Sequence, residues 1–361
     1  MMPQHLLLLV PVAAAYTLNG AQPSFVGRSA STRLTSTMVE RMETATFNPV
    51  SQYEDANTFK NLPIQLEVAP TMTLREAEAE HGMPWKSSID ANVKDDELLY
   101  MKFWEWQMSF MEEHLTDLQY EACTNGETDF SYNANAKKKA RIVNICASSK
   151  EYRKIRMTYY DAGDNTQVFN AVWYPDPEYN LPVLGIDILA FNRKKYLAIV
   201  DFQPLHEEES DHDATYEDLL EPIKEKYDTL KGRMSSKFYD ETQFFSQQML
   251  FARFDEEKVV HDDLFPAFKS YVKTHVDLVK STERNPSTKE FVLERQEAYD
   301  EYSAERDPAT GLFAAMFGAE WANDFVHDFL FSMSEKPDAS SIPPAFVGGG
   351  GNPHGPPSGR P

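Results

Sequence analysis

The chain has 361 residues, 42% of them hydrophobic and 25% charged, with a formal net charge of -22 at pH 7. That balance suffices for a sizeable globular core, and the negative excess argues against a nucleic-acid partner. Two cysteines, Cys123 and Cys146, cannot build a disulfide framework and are too few for an iron–sulfur cluster, which takes about four thiolates.

The N-terminus reads as targeting sequence. Leu6–Ala15 (LLLLVPVAAA) is too short to cross a bilayer at about 20 residues per helix, and small residues close it as in a signal peptide. Arg28–Thr37 (RSASTRLTST) is rich in Ser, Thr and Arg, with no acid before Glu40, as in a transit peptide. The two in tandem, with Phe25 between them, predict a presequence over residues 1–40 that directs the chain to the stroma of a plastid bounded by extra membranes. Simple secretion is the alternative. No membrane span is expected in the mature protein. Residues 41–95 mix polar and Pro-containing stretches without a period and read as a loosely ordered extension.

From Asp96 the pattern becomes helical: Leu99, Phe103, Trp106, Phe110 and Met111 share one face, with Glu112 and Glu113 on the wetter side. Such a Met and aromatic stripe reads as core packing and not as a cofactor box. Strand-like segments follow at Ile155–Tyr160, Gln167–Tyr174, Val183–Phe191, Tyr196–Phe202 and Met249–Phe254. Short turns at Asp161–Asp164 and Asn192–Lys195 imply antiparallel neighbours. Phe268, Tyr271, Val272, His275 and Val279 then mark a helix, as do Phe313, Phe317, Trp321, Phe325 and Phe329. Helices on either side of these strands predict the α/β class: a three-layer α/β/α sandwich with a central antiparallel sheet, one domain over residues 96–334. The Pro- and Gly-rich tail, residues 335–361, reads as disordered.

The common cofactor signatures are missing. The glycine cluster Gly348–Gly351 sits in the tail and follows no strand, and there is no CxxC, HExxH or nucleophile elbow. The run HEEESDHD, His206–Asp213, reads as a solvated acidic loop in preference to a metal site. What remains is carboxylates in apolar settings. Asp187 interrupts the buried run PVLGIDILAF and shares a strand face with Val183, Gly185, Leu189 and Phe191. Burial there raises a carboxyl pKa and keeps a proton available, so Asp187 is a general-acid candidate, with a structural aspartate as the equal alternative. Asp307, in ERDPATG, reads first as a turn or cap residue. Asn170 is a buried amide that could orient a ligand or bridge strands, and Arg253 could meet an acidic ligand or a nearby carboxylate.

Five stretches taken in order resemble the ferredoxin-dependent bilin reductases: RKIRMTYYDAGDNTQVFNAVWYP (Arg153–Pro175), LPVLGIDILAF (Leu181–Phe191), VDFQPL (Val200–Leu205), FFSQQMLFAR (Phe244–Arg253) and Tyr302–Phe331. The resemblance implies an open-chain tetrapyrrole, biliverdin IXα, held between the sheet and the C-terminal helices. It implies no bound cofactor or metal, with reduced ferredoxin (2Fe–2S) as an external one-electron donor and the bilin passing through a radical state. The essential aspartate falls on Asp187 and a second pocket aspartate on Asp307. Asn170, Arg253 and Ser246 fall among the substrate-binding positions, Arg253 where a propionate is paired. DAGDNTQVFN and YSAERDPATGLF are most similar to members that reduce the C15=C16 bridge to 15,16-dihydrobiliverdin on the way to phycoerythrobilin. Asn170 and Thr158 stand where phycocyanobilin-forming members carry histidine and glutamate, which implies loss of vinyl reduction. A-ring diene reduction, both steps in sequence, or a bilin carrier are the alternatives.

Ferredoxins of this type are acidic, as is this chain, so docking calls for a local basic patch. Its candidates are Lys137, Lys138, Lys139, Arg141, Arg153, Lys154, Arg193, Lys194 and Lys195. The chain is expected to act as a monomer, with the next bilin reductase a possible recipient of product.

Overall fold

A computed structural model describes residues 98–205, 210–234, 243–307 and 309–337. The presequence, the extension to residue 95, His206–Glu209 and the tail from residue 338 lie outside the described residues.

Eight antiparallel strands form one sheet: β1 (Gln119–Glu121), β2 (Tyr132–Asn135), β3 (Ala140–Ser148), β4 (Tyr152–Asp161), β5 (Thr166–Pro175), β6 (Val183–Phe191), β7 (Lys195–Gln203) and β8 (Leu250–Phe254). The order is β1-β3-β4-β5-β6-β7-β8, with β2 also paired to β3. The β4–β5 and β6–β7 hairpins close where the sequence places turns, and Asn192 and Arg193 take φ values of 53° and 46° to make the second one.

Alternation along the strands divides the core in two. Met157, Phe169, Ile186 and Ala198 point to one face, where they pack with helices α1 (Met101–His114), α2 (Ser210–Lys224) and α3 (Phe265–Ser281). Tyr160, Val172 and Val183 point to the other, against α4 (Lys289–Arg306), α5 (Ala309–Phe317), α6 (Ala319–Asp324) and a π-helical turn, Phe325–Leu330. The three-layer α/β/α sandwich is therefore the observed architecture. No helix among the described residues is long and apolar enough to cross a membrane.

The elements differ from expectation in four places. Strands β1 to β3 and helix α4 carry no clear period in the sequence. The aromatic series Phe313–Phe329 is not one helix: Gly318, at φ 107°, separates α5 from α6. The second half of the acidic run His206–Asp213 enters α2 and is not a loop.

Candidate active site

The antiparallel register places polar side chains in a row across the sheet. Thr158 on β4 faces Asn170 on β5, Asn170 faces Asp187 on β6, and Asp187 faces Ile199 on β7. All belong to the face turned toward α4 and α5. One strand-spacing along, Arg156 faces Val172, which faces Gly185.

Arg156, Asn170, Gly185 and Asp187 from the sheet form one wall of a cavity of about 90 Å³. Tyr299, Ser303 and Asp307 line it from α4 and its end, and Phe244 and Phe245 from the loop before β8. Asp307 closes the C-terminus of α4, and its Oδ1 accepts the Ala309 N–H at 2.8 Å. The capping reading of Asp307 thus holds, and the cap lines the cavity as well.

Hydrogen bonds fix the sheet side of the site. Asn170 Nδ2 donates to Asp187 Oδ1 at 3.0 Å. Arg156 Nη1 donates to Asn170 Oδ1 at 2.5 Å, while its Nε donates to the Leu330 carbonyl at 2.7 Å. A guanidinium has only donors, so it settles which end of the Asn170 amide is oxygen and turns the NH₂ toward Asp187. The Thr158 hydroxyl is directed away, to Asn144 Oδ1 at 2.6 Å.

Burial pushes the Asp187 carboxyl up to about 7, and the nearby Asp307 adds to the rise. The Asn170 hydrogen bond and the Arg156 charge oppose it. Asp307 is also raised by burial, against its backbone hydrogen bond and Arg156. Asp187 can thus hold a proton near neutral pH, which suits donation to a bound molecule, and Asp307 on the opposite wall is shifted in the same direction. Among the described residues no group of three or more His, Cys, Asp or Glu side chains could hold a metal ion.

The loop carrying Phe244 and Phe245 is tied down from beneath. Asp201, fully buried on β7, accepts the Ser246 N–H at 2.8 Å and the Ser246 hydroxyl at 2.5 Å. The anchor holds Phe244 at φ 59°, a left-handed conformation rare for a bulky residue. Phe244 rests on Tyr299 and Tyr302, with ring centroids 5.6 and 5.3 Å away.

A family model described as ferredoxin-dependent bilin reductase matches residues 112–332. The chain belongs to this family.

This bilin reductase is accordingly an oxidoreductase with ferredoxin as its electron donor. It is 40% identical over 229 residues to the 15,16-dihydrobiliverdin:ferredoxin oxidoreductase of Nostoc punctiforme, an alignment covering 62% of this chain and 93% of the relative. The enzyme of the same name from Gloeobacter violaceus is 40% identical over 205 residues, covering 56% and 83%. Tomato phytochromobilin synthase, solved with biliverdin, has the same fold at a TM-score of 0.57 and 23% identity, over 65% of this chain and 83% of that one.

The bilin reductase brings Asp187, Asp307 and Asn170 together, but not Ser246 or Arg253. Ser246 is committed to Asp201 and is not among the lining residues. Arg253 faces Leu197 across β7 and β8 and lines a separate cavity of about 330 Å³, with Phe191, Lys195 and Asp255. Arg156 is the charged cavity-lining residue that sequence reading misses. Its phase with Thr158 and Tyr160 on β4 was the available signal.

The basic candidates separate in the same way. Arg141 is 1% exposed and paired with Asp161 at 2.9 Å, so it cannot meet a partner. Lys154 donates to the Phe329 carbonyl and the Ser332 hydroxyl, both at 2.7 Å. Arg153 bonds Gln296 and covers the Tyr174 ring, and Arg193 pairs with Glu257 at 2.8 Å. Lys137, Lys138, Lys139 and Lys194, on turns, and Lys195, at the start of β7, are exposed at one end of the sheet, with Lys138 also donating to the Ala315 carbonyl.

Proposed function

We propose that this reductase adds two electrons and two protons to the C15=C16 bridge of biliverdin IXα, giving 15,16-dihydrobiliverdin. The observation that carries the reading is Asp187: a carboxyl on the cavity wall, raised to about 7, with one oxygen held by Asn170. Oδ1 accepts from the amide, so Oδ2 is left to carry the acidic hydrogen. The similarity to two 15,16-dihydrobiliverdin:ferredoxin oxidoreductases supports this bond over others. Asn170 and Thr158, where vinyl-reducing members carry histidine and glutamate, support it further.

Each electron arrives from ferredoxin. An electron on a conjugated tetrapyrrole raises its basicity, and a nearby acid must then supply a proton. Asp187 gives the first from the sheet side and Asp307 the second from the helix side. Arg253 offers a propionate partner in the second cavity, because a guanidinium fork matches a carboxylate. Ser246 serves the substrate indirectly, by holding Phe244 and Phe245 in place. Lys137–Lys139, Lys194 and Lys195 form the ferredoxin-facing edge, and the tandem targeting segments at the N-terminus support a plastid location.

The experiment is anaerobic turnover of biliverdin with reduced ferredoxin, with products separated by chromatography. A single shorter-wavelength dihydrobilin reduced at the bridge is expected. Asp187→Asn should bind biliverdin but leave it unreduced or as a radical. An A-ring-reduced product would reject the regiochemistry, and product from Asp187→Asn at the normal rate would reject the donor.

A further inference from the structure

Arg156 is 1% exposed and lines the cavity, yet both its hydrogen-bond acceptors are neutral: the Leu330 carbonyl and the Asn170 amide. Its guanidinium lies 5.1 Å from the Phe331 ring centroid. Among the described residues it forms no ion pair, in contrast to the other fully buried arginine, Arg141, which Asp161 neutralises. A buried positive charge without an ion-pair partner is costly to the fold. Asp187 and Asp307 lie near enough for the guanidinium to act on them, but burial holds both carboxyls toward their neutral forms. The cavity therefore carries a fixed positive charge aimed at whatever occupies it.

We propose that Arg156 is the counter-charge to the reduced bilin, easing uptake of the first electron by opposing the negative charge then placed on the pigment. One electron from reduced ferredoxin converts bound biliverdin into its radical anion. The Asp187 O–H bond then breaks and a C–H bond forms on the pigment, leaving a neutral radical and an Asp187 carboxylate. The negative charge has moved from pigment to side chain, and it still faces the same guanidinium. A charge fixed in place before the reaction needs no reorganisation when the electron arrives, which is where such groups are most effective. Asn170, bonded to both Arg156 and Asp187, keeps the two in register. This inference rests on the bilin occupying the Asp187 cavity and not on which bond is reduced.

The test is an anaerobic spectroelectrochemical titration of biliverdin bound to the full chain, comparing Arg156→Met, Arg156→Gln and Arg156→Lys. Loss of the charge in Met and Gln should make one-electron uptake about a hundredfold less favourable, the loss typical of removing one such stabilising group. That is a potential about 120 mV more negative for a one-electron couple. Biliverdin affinity should stay within about threefold, because ground-state binding does not use the charge in full. Lys, which keeps the charge, should recover most of the shift. Wild-type potentials in Met and Gln, or a Lys variant as impaired as Met, would overturn the proposal. Should Met fail to fold, Gln and Lys decide it. Asp187→Asn measured alongside tests occupancy: normal turnover there rejects the cavity itself, whereas an inactive Asp187→Asn with unshifted Arg156 variants rejects Arg156 alone.

Discussion

Gln203 lies across the face of Gly185: a β-carbon on Gly185 would meet Gln203 Oε1 at 2.0 Å and its Cδ at 2.5 Å. The same Oε1 accepts the Tyr299 hydroxyl at 2.6 Å, and all three residues line the cavity. A missing side chain on β6 thus lets β7 reach α4 through the substrate slot. Gly185→Ala must push Gln203 off Tyr299, at a cost of about 1–3 kcal/mol from overpacking and a lost buried hydrogen bond. Urea unfolding should register the loss, with weaker biliverdin binding beside it. Adding Gln203→Ala should restore much of the stability; simple additivity of the two changes would show that Gly185 makes room for something else.

Asp187 burdens the fold when ionised, and the sign is set by its raised pKa. Well below pH 3.8 the carboxyl is protonated in folded and unfolded chains alike and costs nothing. As pH rises from 3.8 toward about 7, the unfolded chain loses its proton first and stability falls; the loss is complete above about 7. Asp187→Asn has no such proton to lose. It should unfold like the parent at about pH 3 and be more stable at about pH 8, by at most about 4 kcal/mol for a shift of this size. Water reaching the partly buried carboxyl lowers that figure. Equal stability of the two proteins at pH 8 would mean that the carboxyl is not raised.

Ser246→Ala removes one of the two donors on Asp201 and leaves a buried carboxyl oxygen short of a partner. The change should cost about 1–3 kcal/mol and loosen the loop holding Phe244 and Phe245. Biliverdin should bind more weakly, while the fraction of bound pigment reduced per electron supplied stays unchanged. An unaltered Kd would separate the anchor from the cavity.

Charge reversal at Lys194 and Lys195 tests the docking edge. The double Glu variant should lose about tenfold in kcat/KM for ferredoxin at low salt, where exposed charges steer association. The gap should close as salt shortens the Debye length below about 10 Å. Reduction by a small neutral chemical donor should be untouched. The same loss at low and high salt would place the ferredoxin surface elsewhere.

The strands that bear the site were legible because each alternates around a buried face and ends in a recognisable turn. Asp187 stood out as a charge within such a run, and Asn170 as an amide within another. Strand β3 was hidden because ARIVNICAS is buried on both sides, so its apolar residues form a run without period, broken by Asn144. Arg156 was hidden in a basic-looking stretch, RKIRMTYY, where only strand phase separates an inward arginine from a solvated one. The Tyr152/Lys154 register irregularity in β4 obscures that phase. Asp307 read as a cap because it is one, and its second role depends on packing between α4 and the sheet. The Gly185–Gln203–Tyr299 contact joins residues 18 and 96 apart in the chain, and no local pattern announces it.

The amide of Asn170, locked by the guanidinium behind it, decides more than acidity. It leaves Asp187 a single free oxygen, on a strand that forms one floor of a flat slot. A planar pigment lying on that floor receives the Asp187 hydrogen from beneath and the Asp307 hydrogen from above, so a trigonal carbon struck from one wall alone becomes tetrahedral with one handedness. The product should be a single enantiomer, its configuration written by which wall of the slot supplies each hydrogen.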